Sequence, residues 1–497
     1  MSIFNSGGSG SGSGGDILSK VIESRNETVS CFAYDDIPAD SLVSVSDSNS
    51  EYNSANYINP VSDSSIEVIQ VGSKYVILAP KYSGYTNYDS RYGLTCITPD
   101  EYGTISERFS TDVKNLVSSS YPLPTSLGNN IEIEEIDDNR FLLAYESSYT
   151  SNSSTYYRYI ACIITVGDSG FSRTSQTVLY DNSSSSRYGL QTAKLDSSLV
   201  AVAVACYIYF CPISDNSISS YLLYGYSMAY NVHRMSFVNS GAFVFTYVSS
   251  NMGYAKILKL TYNSSTGKYS STNKDLSMTN FSSACSSYNG GSSNVNFVRV
   301  GDNLVISYIY YDADTSKITP YIYKITSYDS TPTSKNCTIS WGNWRASGSE
   351  GLSMMHYIGN GKVMLTYGSV GIYKYLIFSP LPSSLSSSSF KNFILSGFCY
   401  TVSNISSLTR CEIAVPFDSS SFLYFYSIGT DSSSNTYRVR KVGYSGTSVT
   451  GFIENPNKPF QGYRAINQLN SGERIGYIDS SVSAGNLVNV PIINRLP

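Results

Sequence analysis

The chain has 497 residues, a formal net charge of -4, and 14% charged against 41% hydrophobic residues. A single hydrophobic core stops growing at roughly 250 to 300 residues, so this length requires several domains or a repeat whose core grows with copy number. No Lys/Arg cluster exceeds the Arg438, Arg440, Lys441 group, which leaves no electrostatic footprint for nucleic acid, and the 45 Tyr in a Ser-rich background favour strands and turns over helices.

The first residues after Met1 show neither a basic region nor an apolar core of the kind that directs export, so no signal peptide is expected. Gly7 to Gly15, reading GGSGSGSGG, has no side chain able to bury and behaves as a flexible arm. Asp16 is placed to cap a short helix over Ile17 to Ser24. Residues 1–50 are therefore read as an attachment arm and lead-in, and 51–497 as one repeat domain.

From there one pattern recurs: an apolar residue, a short turn of Gly, Asp, Asn or Ser, then an alternating apolar strand that often ends in Tyr. It reads Val71-GSK-YVILA, Ile136-DDNR-FLLAY, Leu195-DSS-LVAVA, Val238-NSG-AFVFTY, Val300-GDN-LVISY, Ile358-GNGK-VMLTY, Phe417-DSSS-FLYFY and Leu469-NSGER-IGY. Each copy is a hairpin, because the turn residues tolerate positive φ and the flanks have period-two hydrophobicity. Two more strands follow, clearest at Tyr156 to Val166 with Ser172 to Tyr180, and at Ile318 to Ser327 with Ser334 to Ser340. The longest apolar run, Leu199 to Cys211, is too short to span a bilayer and reads as a buried strand pair.

Four strands per repeat predict an all-β β-propeller, since a twisted four-stranded sheet covers its faces only against neighbours on both sides. Eight blades are expected from the eight hairpins. Seven is the first alternative, and tandem β-sandwiches the second. The last repeat yields three strands, Arg464 to Gln468, Arg474 to Ile478 and Leu487 to Ile493, so the segment near Glu27 to Tyr34 is expected to complete that blade.

The residues give little chemistry. The nine Cys lack a C-x-x-C pair and read as small core residues rather than a disulfide framework or zinc site. Seven N-x-S/T sequons are the chance product of Ser richness. His233 and His356 have no metal-ligand spacing. No Walker loop, G-x-S-x-G elbow or dinucleotide fingerprint occurs. Glu132, Glu134 and Glu135 share one strand and offer an acid pair, but an exposed strand face gives the same pattern. Asp35, Asp36, Asp312 and Asp314 are the corresponding candidates for Ca²⁺, read here as turn residues. The Ser-x-Asp-x-Gly-x-x-Trp turns of sialidase-like propellers are absent. Trp341, Trp344 and Arg345 form the one unusual patch, a candidate binding surface for a sugar or a protein. No catalytic residue, metal or cofactor is expected.

The GGSGSGSGG arm, the Ser/Tyr-rich β repeats, the missing export signal and the lack of catalytic residues together resemble structural proteins of tailed bacteriophages. The resemblance implies a non-enzymatic virion component, docked through its arm, with other virion proteins and a host surface glycan or protein as partners. It implies neither nucleic acid nor membrane insertion. A secreted carbohydrate-binding propeller and a glycoside hydrolase-like propeller are the alternatives.

Overall fold

The computed structural model describes residues 28–33, 37–45, 66–80, 92–99, 105–123, 131–151, 153–182, 189–225, 232–249, 252–284, 295–312, 317–336, 339–340, 353–369, 372–381, 385–394, 412–431, 434–450, 464–467, 474–482 and 487–495. The chain divides into two compact units, one of Ala55–Asn392 with Ile405–Ser448, the other of Met1–Ser54, Phe393–Asn404 and Val449–Pro497.

Among the described residues of the larger unit seven antiparallel sheets follow one another along the chain. Their first strands are Glu67–Val71, Ile131–Asp137, Leu190–Asp196, Val232–Asn239, Val295–Val300, Ser353–Gly359 and Glu412–Asp418. Each sheet runs outward in sequence order over four strands, with a fifth in the third and fifth sheets. The first strands touch in cyclic order, and the seventh lies against the first. They are the inner wall of a closed ring, and the fold is a β-propeller.

The turn chemistry of the repeat explains the hairpins. In four blades an Asp or Asn side chain accepts the backbone N–H two residues on: Asn139 to Asp137 at 3.2 Å, Ser198 to Asp196 at 2.8 Å, Gly241 to Asn239 at 2.9 Å and Ser420 to Asp418 at 2.8 Å. The other three use glycine at positive φ, Gly72, Gly301 and Gly361. Gly72 has a second constraint, because a Cβ there would lie 2.5 Å from the carbonyl oxygen of Asp138 in the next blade. Gly72→Ala is expected to cost about 2–4 kcal/mol in urea unfolding, against about 1 kcal/mol for Gly301→Ala, which meets nothing within 4 Å.

The apolar core lies between blades rather than inside them. Leu142, Ala144 and Ile163 of the second blade pack with Val200, Val202 and Cys211 of the third. Leu199 and Phe210 of the third meet Phe237, Phe243 and Leu258 of the fourth. The run Leu199 to Cys211 is indeed a buried strand pair, Leu199–Val204 with Tyr207–Ser214. Closure of the ring repeats the pattern: Ile66, Tyr75 and Ile77 of the first blade pack with Val415, Leu423 and Phe425 of the seventh, and the Tyr75 hydroxyl donates to the Pro416 carbonyl at 2.7 Å. Cys96, Cys162 and Cys211 are buried free thiols, and burial pushes Cys162 up to about 12.

The eighth hairpin does not make a blade. Its strands Arg464–Asn467 and Arg474–Ile478 do not pair with each other, because Ser41–Val45 lies between them, antiparallel to both. Thr28–Ala33 does meet the C-terminal strands as expected, parallel to Arg464–Asn467 and antiparallel to Leu487–Arg495. The product is a closed five-stranded barrel in the smaller unit, not a mixed blade. The physical reason is edges: a repeat that ends after three strands cannot cover its faces, and closing a barrel with two N-terminal strands leaves no edge unpaired. Its core is Ile37, Val43, Ile478, Val482, Val490 and Ile492. The helix expected over Ile17 to Ser24 lies outside the described residues.

Candidate functional site

Aligning the seven blades on their first turn brings Glu67, Glu132, Gln191 and Arg234 into one column, each four positions before the last apolar residue of its strand (Val71, Ile136, Leu195, Val238). The structure joins them into a polar belt on the inner wall of the first four blades. Glu67 Oε2 accepts the Ile133 N–H at 2.9 Å. Gln191 Nε2 donates to Glu132 Oε1 at 3.1 Å, and the Arg234 guanidinium donates to Gln191 Oε1 and the Val295 carbonyl, both at 3.3 Å. Glu132 and Glu67 are near enough for each to influence the ionisation of the other.

Glu67, Glu132 and Glu134 on this wall are half-buried. Loss of hydration dominates their ionisation. It raises Glu67 to about 7 against the opposing pull of the Ile133 N–H, Glu132 and Arg234. Glu132 is pushed well above the usual carboxylate range by burial and by the neighbouring Glu67. Glu134 is raised to about 7 by burial, opposed by a hydrogen bond from Thr192 and the charge of Lys194.

A second polar layer lies beside this one. Lys194 pairs with Glu135 across two blades. Arg299 of the fifth blade reaches past the fourth to the third, where it donates to the Leu195 carbonyl at 2.6 Å and the Lys194 carbonyl at 3.2 Å, and it also donates to Gly301 at 3.1 Å. Arg299→Met is expected to cost about 2–3 kcal/mol by leaving those carbonyls unmatched, and Arg299→Lys to recover only part, since one ammonium cannot replace a planar fork. Chemical denaturation of the two variants checks the order.

The belt corrects the reading of Glu132, Glu134 and Glu135 as an exposed face: they line the inner wall. Glu67 and Arg234 were not singled out, and the signal that finds them is the shared column of the repeat. His233, next to Arg234, is held below the usual histidine range by burial and by that charge, and His356 lies in the sixth inner strand. Among the described residues no group of three or more His, Cys, Asp or Glu is placed to hold a metal ion. Asp312 ends a strand of the fifth blade, while Asp35, Asp36 and Asp314 lie outside the described residues, as do Trp341, Trp344 and Arg345.

No family model matches the chain, and no curated protein matches it. Solved structures do resemble it at low identity. Trypanosoma rangeli sialidase in complex with the inhibitor DANA aligns with 83% of this chain and 59% of its own, at 9% identity and a TM-score of 0.38. This chain thus spans less than two thirds of that sialidase. The β-propeller domain of the Trilobed protease from Pyrococcus furiosus aligns over 82% of this chain and 100% of its own, at 9% identity and a TM-score of 0.36. Kluyveromyces lactis Hsv2 aligns over 77% and 98%, at 11% identity and a TM-score of 0.37.

Proposed function

We propose that the chain is a non-enzymatic propeller that serves as an assembly and surface-binding component of a bacteriophage virion. The observation that supports a non-enzymatic role is the saturation of the inner wall: Glu67, Glu132, Glu134, Glu135, Arg234 and Arg299 all bond to other blades. Polar groups spent on one another tie blades together and leave little capacity for substrate. The virion setting draws on the resemblance of the Gly/Ser arm and Ser/Tyr-rich repeats to tailed-phage structural proteins. On this reading the partners are other virion proteins, reached through residues 1–50, and a host surface glycan or protein; nucleic acid and membrane insertion have no part. Among the described residues no helix is long and apolar enough to cross a membrane. Mass spectrometry of purified particles tests the setting. The chain should copurify at stoichiometric level, and its absence from particles overturns the virion role.

One observation favours a second reading, a glycoside hydrolase-like propeller: two carboxyls, Glu67 and Glu132, lie in one belt of the inner wall and burial raises both, as an acid–base pair requires. Against it, both carboxyls already accept hydrogen bonds within the wall, Glu67 from the Ile133 N–H and Glu132 from Gln191. Release of reducing sugar from a polysaccharide, abolished by Glu132→Gln, would establish the enzyme reading. No release is the expected result.

A further inference from the structure

Tyrosine pairs recur between the second and third strands of several blades, at the turn end in the second and fourth blades and mid-strand in the fifth, and strand register builds them. Tyr149 lies directly opposite Tyr156, Tyr247 opposite Tyr254, and Tyr308 opposite Tyr321, on the second and third strands of the second, fourth and fifth blades. The rings stack with centroids 5.5, 5.3 and 5.2 Å apart and interplanar angles of 27°, 17° and 11°. Because strand direction alternates within each sheet, every turn between second and third strands faces the same end of the ring. The first strands begin at that end too, so the column of Glu67, Glu132, Gln191 and Arg234 lies toward it.

What covers the pairs differs. In the fifth blade Tyr308 is fully buried, Phe281 packs on it edge to face at 5.2 Å, and the Tyr321 hydroxyl accepts from Asn280 Nδ2 at 3.2 Å. In the fourth blade Tyr254 is 37% exposed, next to Met252 at 46%. Tyr149 and Tyr156 of the second blade are half-buried, with a polar frame beside them. The Arg158 guanidinium lies 4.0 Å from the Tyr149 ring centroid, its Nε is 2.9 Å from Asp181 Oδ2, and the Tyr149 hydroxyl donates to Asp181 Oδ1 at 3.2 Å.

We infer that this end of the ring binds a neutral polysaccharide, with Tyr156 and Tyr254 as its stacking platforms. A pyranose has an apolar C–H face and a hydroxyl edge, and tyrosine presents the same division of ring and hydroxyl. The frame carries no net charge, since Arg158 and Asp181 neutralise each other, so nothing in it selects a charged polymer. A protein partner would require a contiguous patch of about 800 Å² with an apolar centre. The exposed large apolar residues of the described chain, Leu42, Val178, Leu222, Met252, Tyr254 and Tyr262, are instead divided among four sheets. The inference rests on the surface-binding part of the proposed function and names its ligand.

Affinity electrophoresis of the full chain through gels containing dextran, a β-glucan or a galactomannan, with alginate as the anionic comparison, tests it. At least one neutral gel should retard the protein equally at low and high salt. Tyr254→Ala and Tyr156→Ala should each weaken that retardation about tenfold, the size expected for losing one aromatic stack, while Tyr254→Phe should change it less than about twofold. Thermal midpoints equal to that of the parent chain show that the variants are folded. No retardation in any neutral gel, retardation by alginate alone with loss in high salt, or full retardation of both alanine variants would overturn the inference. Incorporation into particles without polysaccharide binding sinks only this inference, whereas absence from particles sinks the virion role.

Discussion

Phe210→Ala is expected to lower the stability of the ring by about 3–5 kcal/mol, among the largest effects of any single truncation. Phe210 has no solvent exposure and sits where the third and fourth blades meet. Its ring packs on Phe237 at 5.4 Å, Tyr269 at 5.7 Å, and Phe243 and Tyr221 at 6.1 Å. Truncation therefore opens a cavity walled by two sheets, and neither sheet can close it without moving its own hydrogen-bond ladder. Because each sheet is covered only by its neighbours, the loss should appear as earlier cooperative unfolding, not as a local frayed blade. Leu222→Ala on the third blade is the matching control. That side chain is 51% exposed, and the change should stay within about 0.5 kcal/mol. Urea unfolding followed by tyrosine fluorescence checks both.

Stability should also fall as pH rises through 7, by on the order of 2 kcal/mol between pH 5 and 8. Burial raises Glu67 and Glu134 to about 7 and Glu132 higher still, so the folded chain binds protons that the unfolded chain releases near 4.5. Between those limits the folded state carries more protons, and the slope of stability against pH is negative. The contribution is complete below the unfolded value and is lost as pH climbs through the folded one. The groups facing these carboxyls are Glu135 on their own wall, Thr192 and Lys194 on the third blade, and Arg234 on the fourth. Arg234 and Lys194 oppose the shift but do not reverse it. Glu132→Gln removes one of these raised carboxyls while keeping an amide for hydrogen bonding, and should flatten the curve above pH 6. An unchanged curve in that variant would mean that the belt does not titrate as a unit.

The sequence was most legible where local chemistry decides structure. Asp137, Asp196, Asn239 and Asp418 announce their turns because an Asx side chain satisfies the backbone wherever it stands. The same rule misled at Leu469-NSGER. A turn signal says that the chain bends, not which strand will lie alongside, and Ser41–Val45 arrives from more than 400 residues away to take the place between the two arms. Alternation likewise shows that Glu132 and Glu134 share a face, but it cannot say whether that face meets bulk water or the ring axis. That distinction depends on closure, which is a property of all seven sheets together. Glu67 and Arg234 escaped notice because each is a lone charge within its own repeat. Only superposing the repeats on their turns shows that five successive blades, with Asn296 in the fifth, place a polar residue at one level.

The account depends on the ring closing directly between its first and seventh blades, where Tyr75 reaches the carbonyl of Pro416 across 341 positions of chain. Placing the photoreactive amino acid p-benzoylphenylalanine at position 75, irradiating the folded protein and sequencing the cross-linked peptides measures that contact. The predicted adducts fall on the strand Glu412–Asp418. Adducts confined to the first and second blades, or to the C-terminal barrel strands, would contradict a closed ring of seven sheets.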